Sequence, residues 1–357
     1  MEEKEDATTI SADTLELVVQ TYPQAVLQKD DDGITPLSKA LAHHQPQHVE
    51  SIETLLNFCP EGGVEALRYA LVHQNDTESS MQLVQMILTA CPDAASEKDD
   101  EDRIPLVYGL QRRKRRRRHR REQRQKEEGR NSPIIQSPSP TPKVMSSNSS
   151  NGSNSDDRIT VEVVQLLIEA YPEGAKEKDL LGNIPLHHAI TSVSSAPVLE
   201  ALLISHPDGV REHNNDKITP LQQALEKYPY VPLESIQFML QACPASVLEK
   251  NQDGMTGLHT AVLEGLPVDV LDKLLNVCPD AAMVKDTDGG MTPLMYAILN
   301  DAPLNVIKSL LESCPESTSI PDADGTSPFC CSIARVEVLQ AILDTDPDAV
   351  RAVDNKE

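Results

Sequence analysis

Apolar residues along this chain fall in clusters three and four apart, and proline cuts the clusters at regular intervals. The stretch Lys285–Pro315, KDTDGGMTPLMYAILNDAPLNVIKSLLESCP, shows the pattern most fully. Its Asp-x-Asp-Gly-Gly opening predicts a turn, because Asp bonds to nearby backbone N–H groups and Gly accepts positive φ. Thr292 then caps a short helix beginning at Pro293, where a missing N–H costs nothing. Pro303 opens a second helix, in which Val306, Ile307, Leu310 and Leu311 share one face. Pro315 ends it. The unit is a turn followed by two antiparallel helices, and its apolar face is buried only when copies stack.

Copies run through most of the chain. The helix-opening proline recurs at Pro36, Pro105, Pro185, Pro220, Pro293 and Pro328, with Gly257 in its place in TGLH. A helix-ending set comprises Pro23, Pro60, Pro92, Pro172, Pro207, Pro244, Pro279, Pro315 and Pro347. Pro46, Pro197, Pro232, Pro267 and Pro303 open the second helices. The three sets take 20 of the 26 prolines, so the proline content is punctuation rather than disorder. Self-similarity at 35–37 residues marks a helical solenoid.

The repeats divide the chain into three segments. Residues 1–110 hold a lone second helix (Thr14–Tyr22) and the first repeats, of which EGGVEALRYALVH is degenerate but keeps Leu67, Ala70 and Leu71 in helical register. Residues 111–158 interrupt the third repeat. Residues 159–357 continue the same solenoid and close on a shortened unit, the form expected of a cap.

The turn–TPL strings DDDGITPLSKAL, LGNIPLHHAI, NDKITPLQQAL, QDGMTGLHTAV, DGGMTPLMYAI and DGTSPFCCSI, with second helices such as VEVVQLLIEA, resemble the ankyrin repeat. The period is slightly long, and Pro replaces the Gly-His loop between helices. The resemblance implies an all-α solenoid of helix-turn-helix repeats with short turn or β-hairpin fingers. It also implies that His187 and His259, after the Pro-Leu pair or its Gly-Leu counterpart, brace neighbouring turns by hydrogen bonds. The second residue after that pair is expected to face a partner in the concave groove: Lys39, Tyr69, Tyr108, His188, Gln223, Thr260, Tyr296 and Cys331. Three of these eight are Tyr, a favoured interface anchor.

Charge divides the chain. The net charge is −24, yet residues 111–130 hold 12 Lys/Arg against 3 Glu. The core of this run is Arg112, Arg113, Lys114, Arg115, Arg116, Arg117, Arg118, Arg120 and Arg121. Such a run reads as a nuclear import signal or a polyanion patch. It has no interleaved aromatic for base stacking, so any nucleic-acid contact would be to phosphates and salt-sensitive. The segment after it is rich in Ser, Pro and Asn and is expected to be disordered. Within it Ser132, Ser137, Ser139 and Thr141 each precede Pro and are candidates for proline-directed phosphorylation.

The acidic opening MEEKEDATTI lacks the basic and apolar regions of a signal peptide. No run reaches the length of a membrane span. Cys59, Cys91, Cys243, Cys278 and Cys314 share one repeat position, without the paired spacing of a zinc site; they are expected to be small, buried, reduced residues. The Asp-rich turns begin like an EF-hand loop but lack its closing Glu. No nucleophile elbow, phosphate loop or zinc-protease motif is present. No cofactor, metal or catalytic residue is expected.

The sequence therefore reads as a non-catalytic scaffold binding a protein partner of unknown identity, monomeric, in the nucleus, the cytoplasm or both. It is regulated through its basic insert, with a nuclear import receptor as a second partner. The alternative is a binder of nucleic acid or anionic lipid that uses residues 111–130.

Overall fold

A computed structural model of the chain describes residues 17, 20–22, 53–56, 62–73, 77–111 and 159–351. Lys39, the basic run, the four phosphorylation candidates and Cys59 lie outside these residues. Among the described residues the elements are helices and turns, with no strand.

Each repeat is built as its sequence dictates. In the best-formed copy Thr292 Oγ1 accepts the Met295 N–H, and the first helix runs Pro293–Leu299. The second runs Leu304–Ser313 and buries Val306, Ile307, Leu310 and Leu311. Burying one such side chain contributes about 1.5–3 kcal/mol, against about 1 kcal/mol for a cap. Stacking, not the isolated helix, therefore holds each layer. First helices pack on first helices, from Pro185–Thr191 through Pro220–Glu226 and Gly257–Leu263 to Pro293–Leu299. Second helices do the same from Thr77–Ala90 through Val161–Ala170 and Ala196–Ser205 onward. Val161–Ala170 comes after residues 111–158 in the chain and packs directly on Thr77–Ala90, which precedes them.

The helix-ending prolines do more than stop a helix. Pro172, Pro207, Pro244, Pro279 and Pro315 each open a 3-10 turn of five residues. The residue before each is extended rather than helical, as a residue preceding proline prefers. Cys91, Cys243 and Cys314 occupy that corner and are buried, while Cys278 is half-buried. Their cysteine sulfurs act as small apolar fillers between layers.

One backbone feature departs from the sequence's own logic. Eight residues after the helix-opening position, the chain turns through the left-handed region at Val193 (φ 54), Gly265 (φ 62) and Asp301 (φ 53). A β-branched residue is the worst choice there. A Cβ added at Gly265 meets nothing within 4 Å, so the demand is on φ alone. Val193→Gly should therefore raise the urea-denaturation midpoint, by about 0.5–1 kcal/mol of stability. A lower midpoint would mean that packing of the Val193 side chain outweighs its backbone strain.

Candidate functional site

Among the described residues, six fingers are each organised by one Asp or Asn whose Oδ1 accepts backbone N–H groups further round the turn. Asp99 takes those of Glu101 and Arg103 at 2.9 and 2.8 Å; Asp179 takes those of Leu181 and Asn183 at 2.9 and 2.8 Å. Asn251 and Asp322 repeat the pair, while Asn214 and Asp286 each take one, from Ile218 and Met291. Neighbouring fingers are joined by single backbone rungs, Leu180 N to Glu101 O at 3.2 Å and Thr287 N to Asp253 O at 2.9 Å among them.

An aspartate has a second acceptor oxygen, and it reaches the first helix. Asp99 Oδ2 accepts the Tyr108 hydroxyl and the Arg103 guanidinium. Asp179 Oδ2 accepts His188 Nε2–H at 2.9 Å, and Asp286 Oδ2 the Tyr296 hydroxyl at 2.6 Å. These partners are three of the residues predicted to face the groove, each nine or ten positions after its Asp. Where the turn residue is Asn214 or Asn251, Oδ1 is the sole acceptor and the turn uses it. Gln223 and Thr260 at the matching positions accordingly make no bond to the finger; Gln223 Oε1 is buried without a hydrogen-bond partner.

The predicted residues are thus placed unevenly. Tyr108, His188 and Thr260 are buried, at 5, 8 and 8% exposure. Tyr69, Gln223, Tyr296 and Cys331 are half-buried. Two guanidinium groups stand over the Tyr108 ring, Arg68 at 5.1 Å and Arg103 at 5.3 Å from its centre. Burial and the bonds to Asp99 and Asp286 raise the Tyr108 and Tyr296 hydroxyl pKa values.

The groups that sequence reasoning passed over stand one helical turn further on. On three consecutive first helices, Pro220–Glu226, Gly257–Leu263 and Pro293–Leu299, positions i, i+3 and i+4 point the same way, with i+3 exposed and i buried or half-buried. In successive repeats these are Gln223, Glu226 and Lys227, then Thr260, Leu263 and Glu264, then Tyr296, Leu299 and Asn300. Leu263 and Leu299 are 41 and 54% exposed. An apolar residue recurring at an exposed register position was the available signal. Glu226 stands near Glu264; burial first, and then that neighbouring charge, raises its carboxyl pKa.

Cations are drawn to the finger bases instead. Lys98 pairs with Glu177 at 2.6 Å, Lys178 with Glu212 at 2.7 Å, and Arg211 with Glu249 at 2.6 Å, each across a repeat boundary. Lys250 Nζ donates to Lys285 O at 3.0 Å. Exposed pairs like these contribute little individually, but they leave the finger tips to Asp216, Asp253 and Asp288, with Lys217 the cation among them.

The histidines expected to brace neighbouring turns do so. His187 Nδ1 accepts the Ile184 N–H at 3.3 Å, and its Nε2–H donates to Ile218 O at 3.1 Å in the next finger. His259 repeats this with Thr256 N and Met291 O, at 3.1 and 3.2 Å. A carbonyl only accepts, so both rings carry the hydrogen on Nε2 and are neutral. Burial pushes both pKa values down to about 4.

Among the described residues no group of three or more His, Cys, Asp or Glu is placed to hold a metal ion, and no helix is long and apolar enough to cross a membrane. What the described residues form is a stacked helix-turn-helix repeat solenoid with one continuous finger-and-helix face. Residues 230–322 match the family model for ankyrin repeats in three copies, so the chain carries ankyrin repeats there. Among solved structures the chain is similar to the ankyrin repeat domain of Bcl-3, described as a unique member of the IkappaB protein family. That match has 22% identity and a TM-score of 0.43, and covers 54% of this chain and 81% of that one. A search of curated proteins found no match. Ankyrin repeats are typically non-catalytic modules for protein–protein interaction, and the repeats at residues 230–322 support a protein-interaction scaffold.

Proposed function

We propose that the chain holds a protein partner on the face made by its fingers and the exposed stripe of its first helices. The observation behind this reading is the register of that stripe. Position i+3 is exposed on three consecutive stacked helices, and at two of them it is a leucine left open to solvent. A repeat scaffold uses such an extended surface for recognition. Tyr296, half-buried and held at its hydroxyl by Asp286, is a preorganised aromatic beside those leucines.

Photo-crosslinking in cells tests the face. A benzophenone side chain placed at Leu263 or Leu299 should trap a partner, whereas one at Asn276 or Lys308 on the second helices should not. Crosslinks confined to the second-helix positions would place the partner elsewhere and sink the reading.

Import and regulation are assigned to the insert. An exposed basic peptide suffices for an import receptor, and we read Arg112–Arg121 as that signal. Neutralising its nine Lys/Arg residues should move a fluorescent fusion to the cytoplasm. Phosphates at Ser132, Ser137, Ser139 and Thr141 would each bring about −1.5 to −2 charges next to the run. Glu at all four positions should act in the same direction as neutralisation. A fusion that stays nuclear after neutralisation rejects the import signal and, with it, this regulation. Binding of nucleic acid or anionic lipid by residues 111–130 remains the second reading, supported by their charge and opposed by that of the remaining chain.

A further inference from the structure

The last described residue before the insert is Gln111, and its position matters. Its Nε2 donates to His188 Nδ1 at 2.8 Å, so the chain leaves the solenoid beside the fourth position of the next first helix. That position continues, repeat by repeat, as Gln223, Thr260 and Tyr296 on directly stacked helices. Packed helices lie about 8–10 Å apart, and ten residues of extended chain span about 33–36 Å. Ten residues leaving from Gln111 are therefore long enough to pass all three positions.

Charge along that path is complementary to the basic run that begins at Arg112. From Asn214 to Pro303 the sequence holds 12 Asp/Glu against 5 Lys/Arg. Three of those carboxylates, Glu226, Asp253 and Glu264, are exposed at the stripe or at a finger tip, and none has an ion-pair partner within the described residues. The cations on the same face are Lys217 and Lys227. Beside the carboxylates on the same stack stand Leu263 and Leu299, 41 and 54% exposed, apolar surface of the kind that the methylene stems of Arg cover while the guanidinium stays hydrated.

We infer that the Arg112–Arg121 run of the same chain docks on this face, over the stripe of residues 223–299, and thereby competes with the partner. The inference rests on the partner reading above. It assigns one occupant to the apolar, acid-flanked stripe and gives the insert a regulatory role without a second protein. A docked run is also withheld from an import receptor.

A fluorescein-labelled peptide of residues 112–121, RRKRRRRHRR, tests it by anisotropy at about 0.1 M salt, where charges interact over roughly 10 Å. The intact chain should bind the peptide at least tenfold more weakly than a full-length variant whose nine Lys/Arg in the run are Gln. Adding Glu226→Gln, Asp253→Asn and Glu264→Gln to that variant should weaken peptide binding at least tenfold, with unchanged circular dichroism. Equal binding by the intact and neutralised chains overturns the inference. So does binding that survives loss of the three carboxylates, or absence of binding by the neutralised chain. Sedimentation velocity covers the remaining occupant: a concentration-dependent dimer of the intact chain, lost on neutralisation, would give the face to a second copy's run and overturn docking in cis. Crosslinking at Leu263 and Leu299 in the neutralised variant, where no run covers the stripe, tests the partner reading by itself, so that reading stands or falls separately.

Discussion

Between pH 7 and pH 5 the chain should lose stability that a His187→Gln/His259→Gln double variant retains. Each imidazole is buried, bonded at both nitrogens and neutral, with its pKa pushed down from 6.5 to about 4. Below pH 6.5 the unfolded chain takes up these protons and the folded chain does not. The stabilising contribution is therefore complete above pH 6.5 and falls away as the pH drops towards 4. At about 1.4 kcal/mol per pH unit per histidine, the pair would withdraw about 4 kcal/mol by pH 5. Gln is the informative replacement, because this fold already uses it at the same position. Gln222 Oε1 accepts the Thr219 N–H at 3.0 Å, and its Nε2 donates to Met255 O at 2.9 Å. The variant should match the parent in urea denaturation at pH 7.5 and exceed it at pH 5. The acidic residues titrate in both proteins and cancel in the comparison. Parallel stability curves across the range would show that the histidines are protonated in the fold or free to leave their sites.

The frame of this molecule was legible because its local signals agree. Pro at the first helical position, a Thr cap and an apolar i, i+3, i+4 face each predict the same helix. The bracing histidines were legible through the likeness of the PLH and GLH strings to the ankyrin repeat. The clasp between finger and first helix was less so, although its signal is in the sequence. Asp99 and Tyr108, or Asp179 and His188, were read separately, as turn former and partner-facing residue. Their nine-residue spacing, and the change from Asp to Asn where the later residue is Gln223 or Thr260, link them chemically. The same spacing joins Asp30 to Lys39, outside the described residues. Lys98 and Glu177 were beyond reach, because only stacking across the insert brings the two together. The prolines after each second helix were legible as stops. Their 3-10 turns were not, since a stop and a turn share the same opening residue.

Asp99→Asn should be among the most damaging single changes in the described structure, costing about 3 kcal/mol in urea denaturation. Asn keeps an Oδ1 for the turn, so the Glu101 and Arg103 N–H groups remain satisfied. What disappears is the second acceptor. The Asp99 and Arg103 side chains are 11 and 12% exposed, and the guanidinium would keep Glu101 as its remaining ion-pair partner, itself 63% exposed. The Tyr108 hydroxyl would lose the Asp99 Oδ2 acceptor as well. Burial works against ionisation of Asp99, yet the bonds from Arg103, Tyr108 and two backbone N–H groups outweigh it and hold the carboxyl well below the usual carboxylate range. Its contribution is therefore present above that range and is lost only as the pH falls through the depressed value in the fold. Three companions rank the cause. Tyr108→Phe removes one donor and leaves the ion pair, so about 1 kcal/mol is expected. Asp286→Asn strands the Tyr296 hydroxyl without disturbing a cation and should fall between the two. Asp322→Asn should cost least, since the bonds at Asp322 run through Oδ1 to Asp324 N and Thr326 N. If Asp322→Asn destabilises as much as Asp99→Asn, the aspartates act on the turns alone and the clasp to the first helix contributes nothing.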